Sequence, residues 1–455
     1  MRRKTALAAA ALSLAGSAAA EDYYSDVRPL IETKCVGCHS DAGVSFSLED
    51  PELAYSMRAA IALAVSQRRM PPWLAEPGHQ QYLHDPSLTP DELRLIAAWA
   101  EQGYPKGEPH GTAAAVPSDA HRHFAADLTL EVMAGEAYLP NQSRKDDYRC
   151  FVIDWPLEQP AYITGFRALP GNLRVAHHLV LFAVEPHVAD RFKALDAAEE
   201  GLGYQCFGGA VPDRLGDRDE RAAYERDHPN GVRELNDANF WLAHWAPGMD
   251  GYEFPQGTGI LMQPGMVVIA QMHYYASFAP GESDAGSKMQ FQLSDSVEKP
   301  ALHLPLTNDG WLYGAENGSL VVPPGGKARY EVTAAFDGIA EYVARYAQVA
   351  PESIRALEVH SANLHMHRFG AAGVVSLIDP NGRKDTLLAI PRWDLNWQRD
   401  FTFVEPKVVP RRRFARTHLA VECAYDNYTS APVYGGFGSD DEMCFNFSYV
   451  AIVRD

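Results

Sequence analysis

After its first twenty residues this 455-residue chain has no apolar run long enough to cross a bilayer as a helix. A membrane span is therefore not expected in the mature part. Basic residues are scarce, 40 Lys and Arg against 59 Asp and Glu. An acidic surface of that kind argues against nucleic acid and anionic lipid as partners. Cysteines number only six, and none stands at the end of the N-terminal apolar run, so no lipid anchor is expected there. Paired carboxylates at a spacing suited to acid–base hydrolysis are not evident either.

What is present begins with an export signal. Arg2, Arg3 and Lys4 precede the short apolar stretch "ALAAAALSLAG", and "SAAA" offers small residues for cleavage near Ala20. The chain is expected in the periplasm, starting at Glu21. Losing three basic residues takes its formal charge from −19 to −22. In an oxidising compartment the cysteines invite disulfides. Cys35 and Cys38 have another use, which leaves Cys150, Cys206, Cys423 and Cys444 with three conceivable pairings.

That other use is in "KCVGCHS", where Cys35 and Cys38 are followed by His39. This is the attachment pattern for a c-type haem, with His39 placed to ligate the iron. A zinc or redox CxxC is the competing reading. Tyr24, Val27 and Ile31 before the motif recur at helical spacing. Downstream, "TPDELRLIAAWAEQG" predicts a helix with Thr89 as N-cap, Pro90 in the first turn, Gly103 as stop and a stripe of Leu93, Ile96 and Trp99. Residues 21–105 in this order resemble class I cytochrome c. Met70 in "RRMPPWL" is the expected sixth ligand, ahead of Met57, His79 and His84. Residues 106–125 lack periodicity and read as a linker, with His121 and His123 as solvated linker residues.

From about residue 126 the chain turns to short β-rich runs divided by Gly, Pro and Asn, such as "AYITGFRAL", "MVVIAQMHYYASF" and "FNFSYVAIV". Helices are expected only near 187–200 and 214–226. Its length suggests two packed sandwiches. The run "RVAHHLVLFAV" sets His177 beside His178, and neighbours on a strand point to opposite faces. If both bind one metal, the backbone there must leave regular pleating. "NLHMHRFG" sets His365 and His367 two apart and so on one face, while "AQMHYYAS" offers His273 and "SDDEMCFNF" offers Met443. Singly each is ordinary packing. Together, imidazoles with a thioether suit copper that cycles through Cu(I).

In order along the chain, "DDYRCF", "GNLRVAHHLVLF", "YQCFGG", "WAPG", "QMHYY", "LHMHRFG", "PRWDLNWQ", "VECAYDN" and "SDDEMCFNF" resemble the copper type II ascorbate-dependent monooxygenases. That family includes the peptidylglycine α-hydroxylating and dopamine β-monooxygenases. The resemblance implies two jelly-roll-like sandwiches, 126–300 and 301–455, each with one copper. The fold class expected for the whole is thus a small all-α cytochrome domain followed by two all-β domains. By the same resemblance His177, His178 and His273 hold an electron-transfer copper, and His365, His367 and Met443 hold the copper that meets oxygen. It also pairs Cys150 with Cys206 and Cys423 with Cys444. Tyr148 and Gln271 match positions beside the family's cleft, as substrate-side residues or as packing.

The chain departs from the peptide-hydroxylating branch where a substrate carboxylate is held. An Arg, an Asn and a Tyr there are replaced by Asn363, Phe445 and Phe447, so a C-terminal glycine peptide is a poor substrate. The acidic stretch 213–237 reads as an insertion, and His244 as a structural residue. Expected cofactors are one covalent haem c and two coppers. Expected partners are O2, a small apolar or aromatic substrate, and a redox protein or small reductant as donor. The implied activity is hydroxylation of an activated C–H bond, with electrons passing from the haem to the copper of His177, His178 and His273. A non-catalytic haem–copper relay and an oxygen-reducing oxidase are the alternatives.

Overall fold

The computed structural model describes residues 21–39, 46–109, 124–143, 146–206, 209–211, 231–246, 249, 251–312, 320–436, 438 and 440–454. The signal segment, His121 and His123 of the linker, and the expected helix at 214–226 lie outside them. The chain divides into two compact units, one of residues up to Pro71 with Pro86–Asp119, the other of Pro72–Asp85 with Ala120–Asp455.

The first unit is helical. Asp22 caps a wide helical turn, Tyr23–Val27, that runs on into helix Arg28–Lys34. Short helices Pro51–Ser56 and Arg58–Ser66 follow, then Pro90–Glu101. The last has the reciprocal cap expected from its sequence: Glu92 N–H donates to Thr89 Oγ1, and Thr89 N–H donates to Glu92. Gly103, at φ +80°, supplies the left-handed residue that ends it. Ile96 and Trp99 from this helix, with Tyr23, Val27 and Ile31, form the small core. Trp99 Nε1 donates to Pro105 O, which keeps the indole satisfied inside it.

The second unit is built on strands. One nine-stranded sheet runs in the order Leu128–Glu131, Lys288–Ser294, Ala161–Leu169, Thr258–Met262, Lys299–Leu306, Asn446–Arg454, Ile354–Ala362, Phe401–Pro410, with Tyr252–Glu253 added beside Ala161–Leu169. The boundary expected at 300/301 thus falls inside a strand, Lys299–Leu306, that pairs with Thr258–Met262 on one side and Asn446–Arg454 on the other. A five-stranded sheet takes the order Tyr204–Gln205, Asp146–Asp154, Val267–Tyr275, Ala176–Val184, Asn239–Trp245. A four-stranded sheet takes Lys327–Ala335, His418–Asp426, Gly370–Ile378, Lys384–Ile390. One apolar cluster fills the space among all three, with Phe166 and Phe291, Val268 and Leu181, and Val421 and Val375 drawn from the separate sheets. Sandwich packing of this kind accords with the β architecture read from the sequence.

Two features depart from the sequence reading. Helix Phe336–Tyr346 continues strand Lys327–Ala335 without a side-chain cap. Its buried Phe336, Ile339, Ala340, Val343 and Ala344 are spaced for a helix, but no start signal marks the switch. Pro72–Asp85, expected in the helical domain, belongs to the β unit. Glu76 N–H donates to Ala389 O at 2.7 Å and Leu83 N–H to Thr402 O at 2.8 Å, covering the edges of strands Lys384–Ile390 and Phe401–Pro410. His79 and His84 go with it. The other helix expected in this unit is present as Pro186–Ala197. Among the described residues no helix is long and apolar enough to cross a membrane.

Both implied disulfides are formed, Cys150–Cys206 and Cys423–Cys444. The first closes a separation of 56 residues, so cross-linking removes much freedom from the unfolded chain. Replacing Cys150 and Cys206 together by Ala should destabilise the β unit by about 4 kcal/mol. Calorimetry would show a lowered Tm, and an unchanged Tm would contradict this.

Candidate metal centres

Strand Val267–Tyr275 lies between Asp146–Asp154 and Ala176–Val184. Its register sets His273 directly across from His178 and from Tyr148. Regular pleating would then send His177 to the opposite face. Instead the pairing slips: His273 faces His178, but Tyr274 faces Ala176, leaving His177 as the extra residue of a β-bulge. The bulge turns His177 toward the other two rings. Nδ1 of His177 lies 3.2 Å from Nδ1 of His273 and 3.3 Å from Nδ1 of His178, and the third edge is 3.2 Å.

Ring nitrogens so placed either share a proton, in a direction set by the tautomers, or point their lone pairs at one centre. A neutral imidazole has one N–H, and the one on His273 is committed: Nε2 donates to Asp146 Oδ1 at 3.0 Å. Its Nδ1 therefore presents a lone pair to the other two. A cation at the centre would take all three lone pairs, since the centre of such a triangle is about 1.9 Å from each corner, near the ~2.0 Å of a metal–imidazole bond. Burial lowers the proton affinity of all three rings, His177 to about 4, so they stay neutral and able to ligate at neutral pH. Tyr148 stacks flat on His273 at 4.1 Å and fixes the ring's plane. Among the described residues this is the one cluster of three or more His, Cys, Asp or Glu groups that converges for a metal.

His365 follows the end of strand Ile354–Ala362 and makes an antiparallel bridge with Phe445, its N–H donating to Phe445 O at 2.9 Å. Leu364 and Met366 on either side point into the core. His365 and His367 are therefore on the other face, with ring centroids 5.2 Å apart. Met443, buried, stands two residues before Phe445 in the segment that makes this bridge. Nδ1 of His365 donates to Gln398 Oε1, and Nδ1 of His367 donates to Asp441 O at 3.1 Å. Both partners are pure acceptors, so each ring keeps its Nε2 lone pair for a ligand. Burial holds His365 at about 4 and His367 at about 3.

The loop after His367 is clamped by a buried carboxylate. Glu442 accepts from the N–H groups of His367 at 2.9 Å and Phe369 at 2.5 Å. Burial pushes its carboxyl up to about 7, while those N–H groups pull it down. Cys444, bridged to Cys423, and Tyr425, whose hydroxyl donates to Met443 O at 2.9 Å, hold the chain on either side of Met443. The two histidine clusters are within electrostatic reach: His365 and His367 both lower the proton affinity of His178, and His273 lowers theirs.

Other expected residues fall elsewhere. Gln271 lies against the Cys150–Cys206 bridge, its amide donating to Gly209 O at 2.8 Å. His244 pairs with Asp400 at 3.3 Å, and Asn363 Nδ2 donates to the other carboxylate oxygen at 2.9 Å. Phe445 and Phe447 stack at 5.4 Å, and Trp241 meets Phe447 at 4.1 Å, giving an aromatic wall that starts beside His365. Asp146, Gln398, Asp441 and Glu442 were not singled out from the sequence. Each stands inside a stretch already quoted for the resemblance, and alternation from His273 through its cross-strand partners marks Asp146.

In the helical unit, Cys35, Cys38 and His39 share one turn after helix Arg28–Lys34, and Met70 is half-buried. His39 Nδ1 donates to Phe46 O at 3.0 Å, which leaves Nε2 for iron. Burial pushes the Cys35 thiol up to about 12. Phe46 and Leu63 are each more than half exposed, apolar surface of the kind a haem face covers. The residues fit a haem.

Residues 343–451 match the family model of the copper type II ascorbate-dependent monooxygenase C-terminal domain. The match includes His365, His367 and Met443 and supports the copper monooxygenase family, and with it an oxidoreductase using copper and O2. It covers about a quarter of the chain and does not extend to His177, His178 and His273 or to the helical unit. No curated protein matches the chain. Similar solved structures include a peptide-N(4)-(N-acetyl-β-D-glucosaminyl) asparagine amidase, with 8% identity over 71% of this chain and 96% of that one at a TM-score of 0.28. Empty particles of cowpea mosaic virus give 11% identity over 72% and 88% at 0.25. Scores this low carry no argument.

Asp146→Asn should weaken Cu(I) binding by the three-histidine cluster about 10- to 100-fold, because the His273 tautomer is no longer enforced. Competition with a chromogenic Cu(I) chelator reads this, and unchanged affinity would show that Asp146 does not support the site.

Proposed function

We propose that this protein is a periplasmic copper monooxygenase that carries its own c-type haem as electron entry. The observation that carries the reading is the pair of histidine sets, one with three Nδ1 atoms converging and one with two rings held by their Nδ1 atoms so that each keeps its Nε2 lone pair. The family match over the second set supports it. His177, His178 and His273 would hold one copper, His365, His367 and Met443 a second, and Cys35, Cys38, His39 and Met70 the haem. When bound, the metals supply single-electron chemistry and activation of O2, with the soft thioether of Met443 favouring Cu(I).

The chain's own residues do the positioning. Asp146 and Tyr148 orient His273, while Gln398, Asp441 and Glu442 orient His365 and His367. The aromatic wall of Phe445, Phe447 and Trp241 excludes water and offers an apolar face to substrate beside His365. With no Arg among the residues that replace the carboxylate clamp, a small apolar or aromatic molecule is the substrate class this wall suits. The overall change is insertion of one oxygen atom into a C–H bond. The second oxygen leaves as water, with two electrons and two protons taken up.

Purified full-length protein should carry one covalent haem and two coppers by elemental analysis, falling to one copper in His273→Ala and in His367→Ala. Turnover under labelled O2 with a panel of alkylbenzenes should place one labelled oxygen in each product. Oxygen consumption with label only in water would favour the oxidase alternative. Haem and copper oxidation–reduction without oxygen uptake would favour the relay.

A further inference from the structure

We infer that the groove between helix Phe336–Tyr346 and strand Asn239–Trp245 is a binding site for an uncharged aromatic molecule, the substrate, on its approach to the His365 site. The inference rests on the functional reading above for the identity of the occupant, and adds to it the place where the substrate is first held.

The groove lies wholly within the β unit and has a volume of about 580 Å³, the size of a small-molecule pocket. Phe182, Trp241, Pro305, Tyr342 and Tyr346 line it. On strand Ala176–Val184, Phe182 stands four residues after His178 and so on the same face of the sheet. Its cross-strand partner is Trp241, and the two rings meet edge-on at 5.5 Å. Trp241 is shared, because it lines the groove and also meets Phe447 of the aromatic wall at 4.1 Å. The wall in turn reaches His365 through Phe445. A continuous aromatic surface therefore leads from the groove to His365.

The polar atoms of two of these rings are already committed. Trp241 Nε1 donates to His244 Nδ1 at 3.3 Å, and the Tyr346 hydroxyl donates to Asp237 O at 2.8 Å. What they offer a ligand is ring face and edge, which suit another aromatic ring. At the rim the carboxylates of Asp237 and Glu341 stand against one guanidinium, Arg345, which lies over Tyr346 at 5.2 Å. That balance disfavours an anion. Gly338 keeps the space open. It sits in the first turn of the helix and lines the groove, yet a Cβ there would meet nothing within 4 Å. Glycine is a poor helix former, and no close packing contact requires it at this position. Its effect is to leave room for a ligand where a larger residue would fill the groove.

The test uses full-length, copper-loaded protein and the photoreactive probe 3-phenyl-3-(trifluoromethyl)diazirine, a small uncharged aromatic, with labelled peptides located by mass spectrometry. Label should concentrate on the peptide spanning helix Phe336–Tyr346, and excess ethylbenzene should suppress it. Gly338→Phe, which fills the groove, should cut this labelling at least ~10-fold, while Gly338→Ala stays within ~2-fold of wild type. Copper content, copper EPR and Tm should match wild type in both. If Gly338→Phe does not fold, the smaller plug Gly338→Leu takes its place, with at least a ~3-fold loss expected. In turnover of ethylbenzene the plugged variant should lose at least ~5-fold in kcat/KM with kcat within ~2-fold. Label confined to the Phe445–Phe447 peptide, label that ethylbenzene does not displace, or unchanged labelling in the plugged variant overturns the site. Reduced labelling with unchanged kcat/KM overturns its place on the substrate's approach. Wild type that is labelled in the groove but holds no copper, or forms no oxygenated product, overturns the functional reading and with it the occupant as substrate, while the site itself stands.

Discussion

The convergence of three imidazole Nδ1 atoms within 3.3 Å of each other is the constraint that the local fold is arranged to maintain. A bulge in strand Ala176–Val184 brings an adjacent pair of histidines to one point. A carboxylate behind His273 and a tyrosine against its face remove the ring's freedom to turn away. Rings held in place in this way are preorganised for a metal. The disulfide at Cys150 sits two residues from Tyr148 on the strand that carries these supports, so covalent and coordinate constraints act on one short segment.

The second histidine pair uses different means to the same end. Here the rings are held by their Nδ1 atoms and present Nε2, the reverse of the first cluster. The supports come from chain segments far apart in sequence, Gln398 from one loop and Asp441 and Glu442 from another. A cluster assembled this way depends on the nine-stranded sheet being continuous, because strands Ile354–Ala362, Phe401–Pro410 and Asn446–Arg454 lead to its three sides. Both clusters lie in the β unit.

Much of this was legible in the sequence. Alternating strands and the capped helix with Trp99 follow from local pattern, because period and spacing are properties of neighbouring residues, whereas the grouping of the candidate ligands came with the family resemblance. What escaped was non-local or unsignalled. Helix Phe336–Tyr346 begins without a capping residue, so its pattern merges with the preceding strand. The edge cover by Pro72–Asp85 is set by hydrogen bonds to residues about three hundred positions away. Asp146, Gln398 and Glu442 are polar residues whose partners are known only once strands are paired. Gln271 shares a face with His273, yet it lies directly across from the bridged Cys150 and its amide donates to Gly209 O.

Copper K-edge X-ray absorption on the reduced, copper-loaded protein tests most directly that two unlike copper sites share this chain. The expected result is a nitrogen shell together with a sulfur shell at half the copper, with the sulfur shell lost in Met443→Ile and kept in His273→Ala. A spectrum with no sulfur in wild type, or with sulfur that survives Met443→Ile, would contradict it.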